Sequence, residues 1–132
     1  MKGLISAMAL MVWATLAGAQ QDQFEGVIGG QIQAFRADDV STAFGYATPG
    51  IQSMFRTPEN FGRMVEQGYP MVWRPESVEF LSARKMELGW MQEILVTDGD
   101  GRLHKLAYLM VETADGWKIG GVQLLTAPEV GV

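Results

Sequence analysis

The sequence predicts an α+β domain in which N-terminal helices pack on one face of a curved four-stranded antiparallel meander. Two observations carry that expectation. Apolar residues recur at three- and four-residue intervals as far as Gly68, and the period becomes strand-like from Ser77 onward. The strand-like runs are joined by Glu87-Leu88-Gly89, Asp98-Gly99-Asp100-Gly101 and Ala114-Asp115-Gly116. Such short hairpin connections force neighbouring strands to run antiparallel.

The chain opens with Met1-Lys2, a short positive region, and continues through Gly3 to Leu16 without a charge. Ala17-Gly18-Ala19 supplies the small-x-small pattern of a signal-peptidase site, and polarity rises at once in Gln20-Gln21-Asp22-Gln23. Residues 1–19 are therefore expected to be a cleaved export signal. A transmembrane anchor needs about 20 apolar residues and usually a basic stop. This run is shorter and an acid follows it. No cysteine is present to take a lipid, so no membrane anchor is expected after cleavage. Removing 19 of 132 residues leaves 113, one domain over residues 20–132. Without cysteine, thiolate catalysis, thiolate metal sites and disulfide exchange are excluded.

Phe24, Val27, Ile28, Ile32 and Phe35 mark a helix from about Asp22 to Arg36. Gly29-Gly30 interrupts it at a cost of about 1 kcal/mol per glycine, which a close approach of the helix to the sheet would offset. Asp38-Asp39 reads as a stop and restart, capping a helix from Val40 to Ala47 with Ala43, Phe44 and Ala47 inward. Thr48-Pro49-Gly50 reads as a breaker and Ile51 to Phe55 as one irregular turn. Thr57-Pro58-Glu59-Asn60 opens a helix with Phe61, Met64 and Val65, which Gly68 ends. Tyr69-Pro70-Met71-Val72-Trp73-Arg74-Pro75 is expected to be extended, because proline pushes its predecessor out of the helical region.

Strands are expected over Ser77 to Met86, Trp90 to Thr97, Arg102 to Glu112 and Trp117 to Leu125. They are apolar on both faces. Leu103, Ala107, Leu109 and Val111 oppose Leu106, Tyr108 and Met110, while Trp117, Ile119 and Leu125 oppose Val122 and Leu124. Helices can cover one face only. The other is expected to meet a partner subunit, as a homodimer through the sheet, or to curl around a cavity. Gly120-Gly121 marks a bulge or a close backbone approach. Paired with Gly29-Gly30, it suggests a helix lying tight against the last strand.

The net charge is −5, and −6 once Lys2 leaves with the signal. An acidic chain with scattered basic residues is a poor partner for nucleic acid or anionic membranes. A small molecule or another protein is expected instead. His104 is the only histidine, a candidate acid or base at neutral pH. Tyr108 lies four residues along the strand, about 13 Å away at the α-carbon, too far for direct pairing. A rim or interface role is the plainer reading. Asp98-Gly99-Asp100-Gly101 superficially resembles a calcium loop, but its glycine comes at the fourth position and a strand restarts at once, so it reads as a turn. Asp38-Asp39 reads as a cap rather than a catalytic pair. Among the strand acids Glu79, Glu93 and Glu112, Glu79 alternates with Val78 and Phe80 and is expected to face solvent. No phosphate loop, dinucleotide motif, nucleophile elbow or zincin motif occurs. No cofactor and no metal is expected.

The order of a long first helix, short helices and a curved meander resembles the cone-shaped nuclear-transport-factor-2-like superfamily. Gln31-Ile32-Gln33-Ala34-Phe35-Arg36-Ala37-Asp38-Asp39, Ala43-Phe44 and Ala47-Thr48-Pro49-Gly50-Ile51-Gln52 are similar to a family of exported bacterial proteins catalogued as domain of unknown function 4864. Thr57-Pro58-Glu59-Asn60-Phe61, Gly68-Tyr69-Pro70-Met71-Val72-Trp73-Arg74-Pro75 and Gly116-Trp117-Lys118-Ile119-Gly120-Gly121-Val122-Gln123-Leu124 fit as well. The resemblance implies export, to the periplasm of a Gram-negative cell, and this fold. It brings no catalytic residue. Some members of the wider superfamily are isomerases, dehydratases or hydrolases with an Asp, His or Tyr in the cone, but fold alone is a weak warrant for activity.

The sequence thus points to a non-catalytic small-molecule-binding or protein-interaction module with an apolar cavity between helices and sheet. A small enzyme on an apolar substrate is the alternative. Tyr46, Tyr69, Met71, Trp73, Arg74, His104 and Tyr108 are the candidate pocket or interface residues, the stiff aromatic run from Tyr69 to Pro75 foremost, although closure of the core beneath the helices is the plainer role for Met71 and Trp73.

Overall fold

The computed structural model describes residues 2–125, and the side chains among them from residue 18 onward. Five helices precede four strands: α1 (Lys2–Arg36), α2 (Val40–Gly45), α3 (Pro49–Phe55), α4 (Pro58–Gly68), α5 (Pro70–Trp73), β1 (Ser77–Lys85), β2 (Trp90–Thr97), β3 (Leu103–Thr113) and β4 (Gly116–Leu125). The strands form one antiparallel sheet in the order β1-β2-β3-β4. This is the α+β arrangement the two periods predict, helices first and then a meander packed against them. The expected helix from Asp22 is the C-terminal part of α1. The side chains of most of the expected export signal lie outside the described ones. Among the described residues, no helix is long and apolar enough to cross a membrane.

The core forms where the apolar stripe of α1 meets one face of the sheet. Phe24, Ile28, Ile32 and Phe35 are buried against Ile94, Val96, Leu106, Tyr108 and Met110. Phe24 lies between two tryptophans, 5.8 Å from Trp90 and 4.9 Å from Trp117 between ring centroids. Phe35 meets Phe61 and Trp73, and Phe61 also meets Phe44 and Phe55, so α2, α3 and α4 join through aromatic contacts. Ala43, Phe44 and Ala47 all face inward, as expected.

Two local expectations need correction. The segment Thr48-Pro49-Gly50 starts a helix instead of breaking one: the Thr48 hydroxyl accepts from the Ile51 amide, and Pro49 takes the first turn. It repeats the device of Thr57-Pro58, where the Thr57 hydroxyl accepts from Asn60. The segment from Tyr69 to Pro75 is likewise not extended throughout. Tyr69 (φ −136°, ψ 55°) and Arg74 (φ −142°, ψ 67°), the residues before the two prolines, do stay out of the helical region. Between them Pro70 opens a helical turn, because its fixed φ and missing N–H suit a helix start.

Two bulges curve the sheet. Leu81 and Ser82 of β1 face one residue of β2, between the pairs Phe80–Ile94 and Ala83–Gln92. The carbonyls freed there accept from the buried Gln92 amide, at 3.1 Å for Leu81 and 3.5 Å for Ser82. In β4, Gly120 is the extra residue between the pairs Met110–Ile119 and Leu109–Gly121. One extra residue reverses the alternation. Ile119, Val122 and Leu124 therefore share the helix-facing side with Trp117, and only Leu125 lies opposite, which corrects the simple alternation read from the sequence.

The glycine pairs do not meet each other. A Cβ on Gly30 would fall 2.4 Å from the Tyr46 Oη and 2.7 Å from Cζ, whereas Gly29 has open space. A Cβ on Gly120 would meet Val111 at 2.9 Å and Thr48 at 3.5 Å. The close approach on α1 is thus to a tyrosine ring from α2's C-terminal end. Residues 46–48 in turn clasp the edge of β4: the Ile119 amide donates to Tyr46 O at 2.8 Å, and the Thr48 amide to Ile119 O at 3.0 Å.

Candidate functional site

A cavity of about 230 Å³ lies between the helices and the sheet. At about 30 Å³ per water it holds roughly eight water volumes. The stripe of α1 supplies Gln31 and Phe35, and the inward face of α4 supplies Phe61, Met64 and Val65. Val72 of α5 and Tyr108, Ile119 and Val122 of the sheet complete the inner wall. Ile51, Met54 and Phe55 of α3 line the mouth, where Met54 is 69% exposed. No Asp, Glu, His, Lys or Arg lines the cavity among the described residues.

Three polar side chains interrupt that apolar wall: Gln31, Tyr69 and Tyr108. Gln31 is buried and donates from Nε2 to Ala43 O at 3.1 Å. The Tyr69 hydroxyl makes a long contact with Val122 O at 3.4 Å. Tyr108 is only 1% exposed, and burial, reinforced by the neighbouring Tyr69, pushes its phenol well above the ordinary tyrosine range. At any physiological pH it is therefore a protonated donor.

The structure brings Tyr69 and Tyr108 together at this cavity and sends the other candidates elsewhere. Tyr46 rests on Gly30 of α1. Met71 is buried in the core, and Trp73 packs on Phe35 at 5.2 Å while bordering a shallow groove with Val40, Gly62 and Arg63. The Arg74 guanidinium lies 5.2 Å over the Trp73 ring. It donates to Phe35 O, to Trp73 O and to the Asp38 carboxylate, closing the C-terminal end of α1. Arg36 answers from α1 with a bond to Pro75 O at 2.8 Å.

His104 sits at the β2–β3 hairpin with its Nε2 2.7 Å from the Asp98 carboxylate. The other Asp98 oxygen accepts from the amides of Asp100 and Arg102. The hydrogen bond from His104, then that from Arg102, holds the Asp98 carboxyl below its ordinary value despite partial burial. The Asp98–Asp100 segment is a turn, and no group of three metal-ligating residues occurs among the described residues. Asp39 caps α2 by accepting from the Thr42 hydroxyl and amide, which lower its carboxyl too. Glu79 is exposed as expected, and Glu93 pairs with Lys105 at 3.1 Å.

The family model described as Domain of unknown function (DUF4864) matches residues 17–132. The chain belongs to that family. The match spans the helices, the cavity and the sheet together. No curated protein and no solved structure matches the chain.

Gln31, Ile51 and Met54 are not among the site candidates the sequence offers, and Met64 enters only as part of the apolar stripe of its helix. For Gln31 a signal exists: it stands three residues after Ile28 and four before Phe35, on the apolar stripe itself. A polar side chain at such a position marks either a buried hydrogen bond or a site. The α3 residues gave no such signal, because their segment read as a turn.

Proposed function

We propose that this protein is an exported, non-catalytic binding module whose cavity takes a small, largely apolar molecule. The observation that carries the reading is the cavity wall itself, apolar from every layer with only Gln31, Tyr69 and Tyr108 to orient a guest. Concave sites with few convergent polar groups are the usual form of a small-molecule site. The enzyme alternative lacks support at the cavity: His104 is engaged by Asp98 at the hairpin, and a strongly held phenol proton is a poor general acid or base.

Export to the periplasm rests on residues 1–19. Cleavage after Ala19 would spare the core, since Phe24 is the first buried side chain among the described ones. N-terminal sequencing of the periplasmic protein should begin at Gln20, and a chain starting at Met1 there would refute the signal. The same proposal pairs two copies through the outer sheet face, which carries Met91, Leu95, Leu109 and Val111 along with the Glu93–Lys105 pair. Sedimentation velocity should give a dimer that Leu95→Glu dissociates, and a monomer at micromolar concentration would refute it.

Indane, a compact hydrocarbon, tests the binding reading by calorimetry. Saturable 1:1 binding is expected, and Val122→Phe, which fills the cavity from β4, should reduce it at least tenfold. Equal binding by that variant would place the hydrocarbon elsewhere and sink the reading.

A further inference from the structure

Tyr108 is the largest fully buried side chain among the described residues, and it lines the cavity. Buried tyrosine hydroxyls usually find a partner, since an orphaned donor has given up water and gained no acceptor. Tyr108 donates to no protein acceptor among the described residues, and the influences on its phenol are burial and Tyr69 alone. Tyr69 leans toward Val122 O through a stretched contact, and Gln31 gives one of its two amide hydrogens to Ala43 O. The Tyr108 hydroxyl, set in an apolar wall, thus points to an acceptor that comes from outside the protein. A water can serve when the cavity is empty, and a ligand oxygen replaces it at little cost.

The wall also says what charge that oxygen bears. No cation lines the cavity among the described residues, and the protein as a whole is acidic, at −5. A carboxylate there would lose its hydration without gaining a counter-charge. A neutral carbonyl or ether oxygen meets the phenol without that penalty. Volume sets the body: about 230 Å³ suits one or two rings.

We infer that the cavity selects neutral molecules bearing one carbonyl-type acceptor on an apolar body of one or two rings, with the Tyr108 hydroxyl as the reading group. This rests on the cavity being the binding site, as proposed above.

The test compares indane, 1-indanone and indane-1-carboxylate on the purified protein by calorimetry. The ketone should bind roughly tenfold more tightly than the hydrocarbon, and the carboxylate more weakly than either. Tyr108→Phe should abolish the preference for the ketone while leaving indane within about twofold. Equal binding of indane and indanone, or tightest binding of the carboxylate, would overturn the inference and leave the cavity reading standing. Failure of both neutral probes to bind would overturn both. A second measurement does not depend on the variant folding. The chain has three tyrosines, so ring-labelled protein gives three Cζ resonances, assigned with Tyr46→Phe and Tyr69→Phe. The Tyr108 resonance should move with indanone and not with indane; a resonance indifferent to the ketone would overturn the inference.

Discussion

Gly29 and Gly30 are neighbours in one helix, yet alanine should act on them with opposite sign. A glycine inside a helix is about 1 kcal/mol worse than alanine. At Gly29 a new Cβ meets nothing within 4 Å, so Gly29→Ala should raise stability by about that amount. At Gly30 the same methyl would lie 2.4 Å from Tyr46 Oη and 2.7 Å from Cζ. The ring is rigid but can swing about χ1 and χ2, so relief requires its tip to move by about an ångström out of its contact, and overpacking of that kind costs about 1–3 kcal/mol. After the helical gain, Gly30→Ala should lose about 1 kcal/mol, a separation of about 2 kcal/mol between adjacent positions. Urea unfolding followed by circular dichroism reads this as midpoints moving apart, and melting temperatures should shift by about 4 °C in each direction. Removing the obstacle supplies the control: in a Tyr46→Ala background, Gly30→Ala should become stabilising like Gly29→Ala. Should Gly30→Ala stabilise the protein with Tyr46 in place, the packing argument at this junction is wrong.

Three further predictions rest on separate contacts. Asp98 has a carboxyl held below its ordinary value, so its contribution to stability is complete above about pH 4 and is lost as pH falls through the folded value. Asp98→Asn should therefore flatten the fall in melting temperature below about pH 4, and an unchanged slope would remove the turn from the acid response. Arg74→Lys keeps the charge but cannot reach Phe35 O, Trp73 O and Asp38 together; it should cost about 1 kcal/mol, allowing for solvent exposure, with little salt dependence because two of the three acceptors are uncharged. A loss that vanishes in salt would assign the effect to the ion pair alone. Thr48→Ala should cost about 1 kcal/mol through the lost cap of α3, measured by denaturant titration, and a neutral result would show that Pro49 alone starts the helix.

The sheet was legible because its signals are local. The Asp98 and Asp115 turns fix where strands reverse, and Gly120 announced its bulge by the cost of a glycine inside a strand. The consequence of that bulge was less legible: alternation holds only while the ladder is unbroken, so Leu125 was grouped with Ile119 until the register showed otherwise. In the helical half, Thr-Pro carried two opposite meanings, breaker at Thr48 and start at Thr57, although the local chemistry at both is the same. The cavity was the least legible part. Its wall collects α1, α3, α4, α5, β3 and β4, and no spacing along the chain reports which side chains converge across such separations. Tyr69 and Tyr108 came into view as aromatics near a stiff segment and on a strand, whereas Gln31 needed its polar identity weighed against the apolar stripe around it.

The helix at the cavity mouth has a consequence for how fast a guest could come and go. α3 is seven residues long and buries none of its side chains fully. Its attachments are a threonine cap, the Gln52 amide on Phe44 O and Ala47 O, the Asn60 amide on Phe55 O, and the half-buried Ile51 and Phe55, the latter against Phe61. The core beneath is held instead by α1 and three interior strand surfaces. Local opening of so lightly held an element requires far less free energy than global unfolding. Opening of α3 would leave the four-stranded sheet beneath it paired: the frame can be firm while this edge of the cavity is quick.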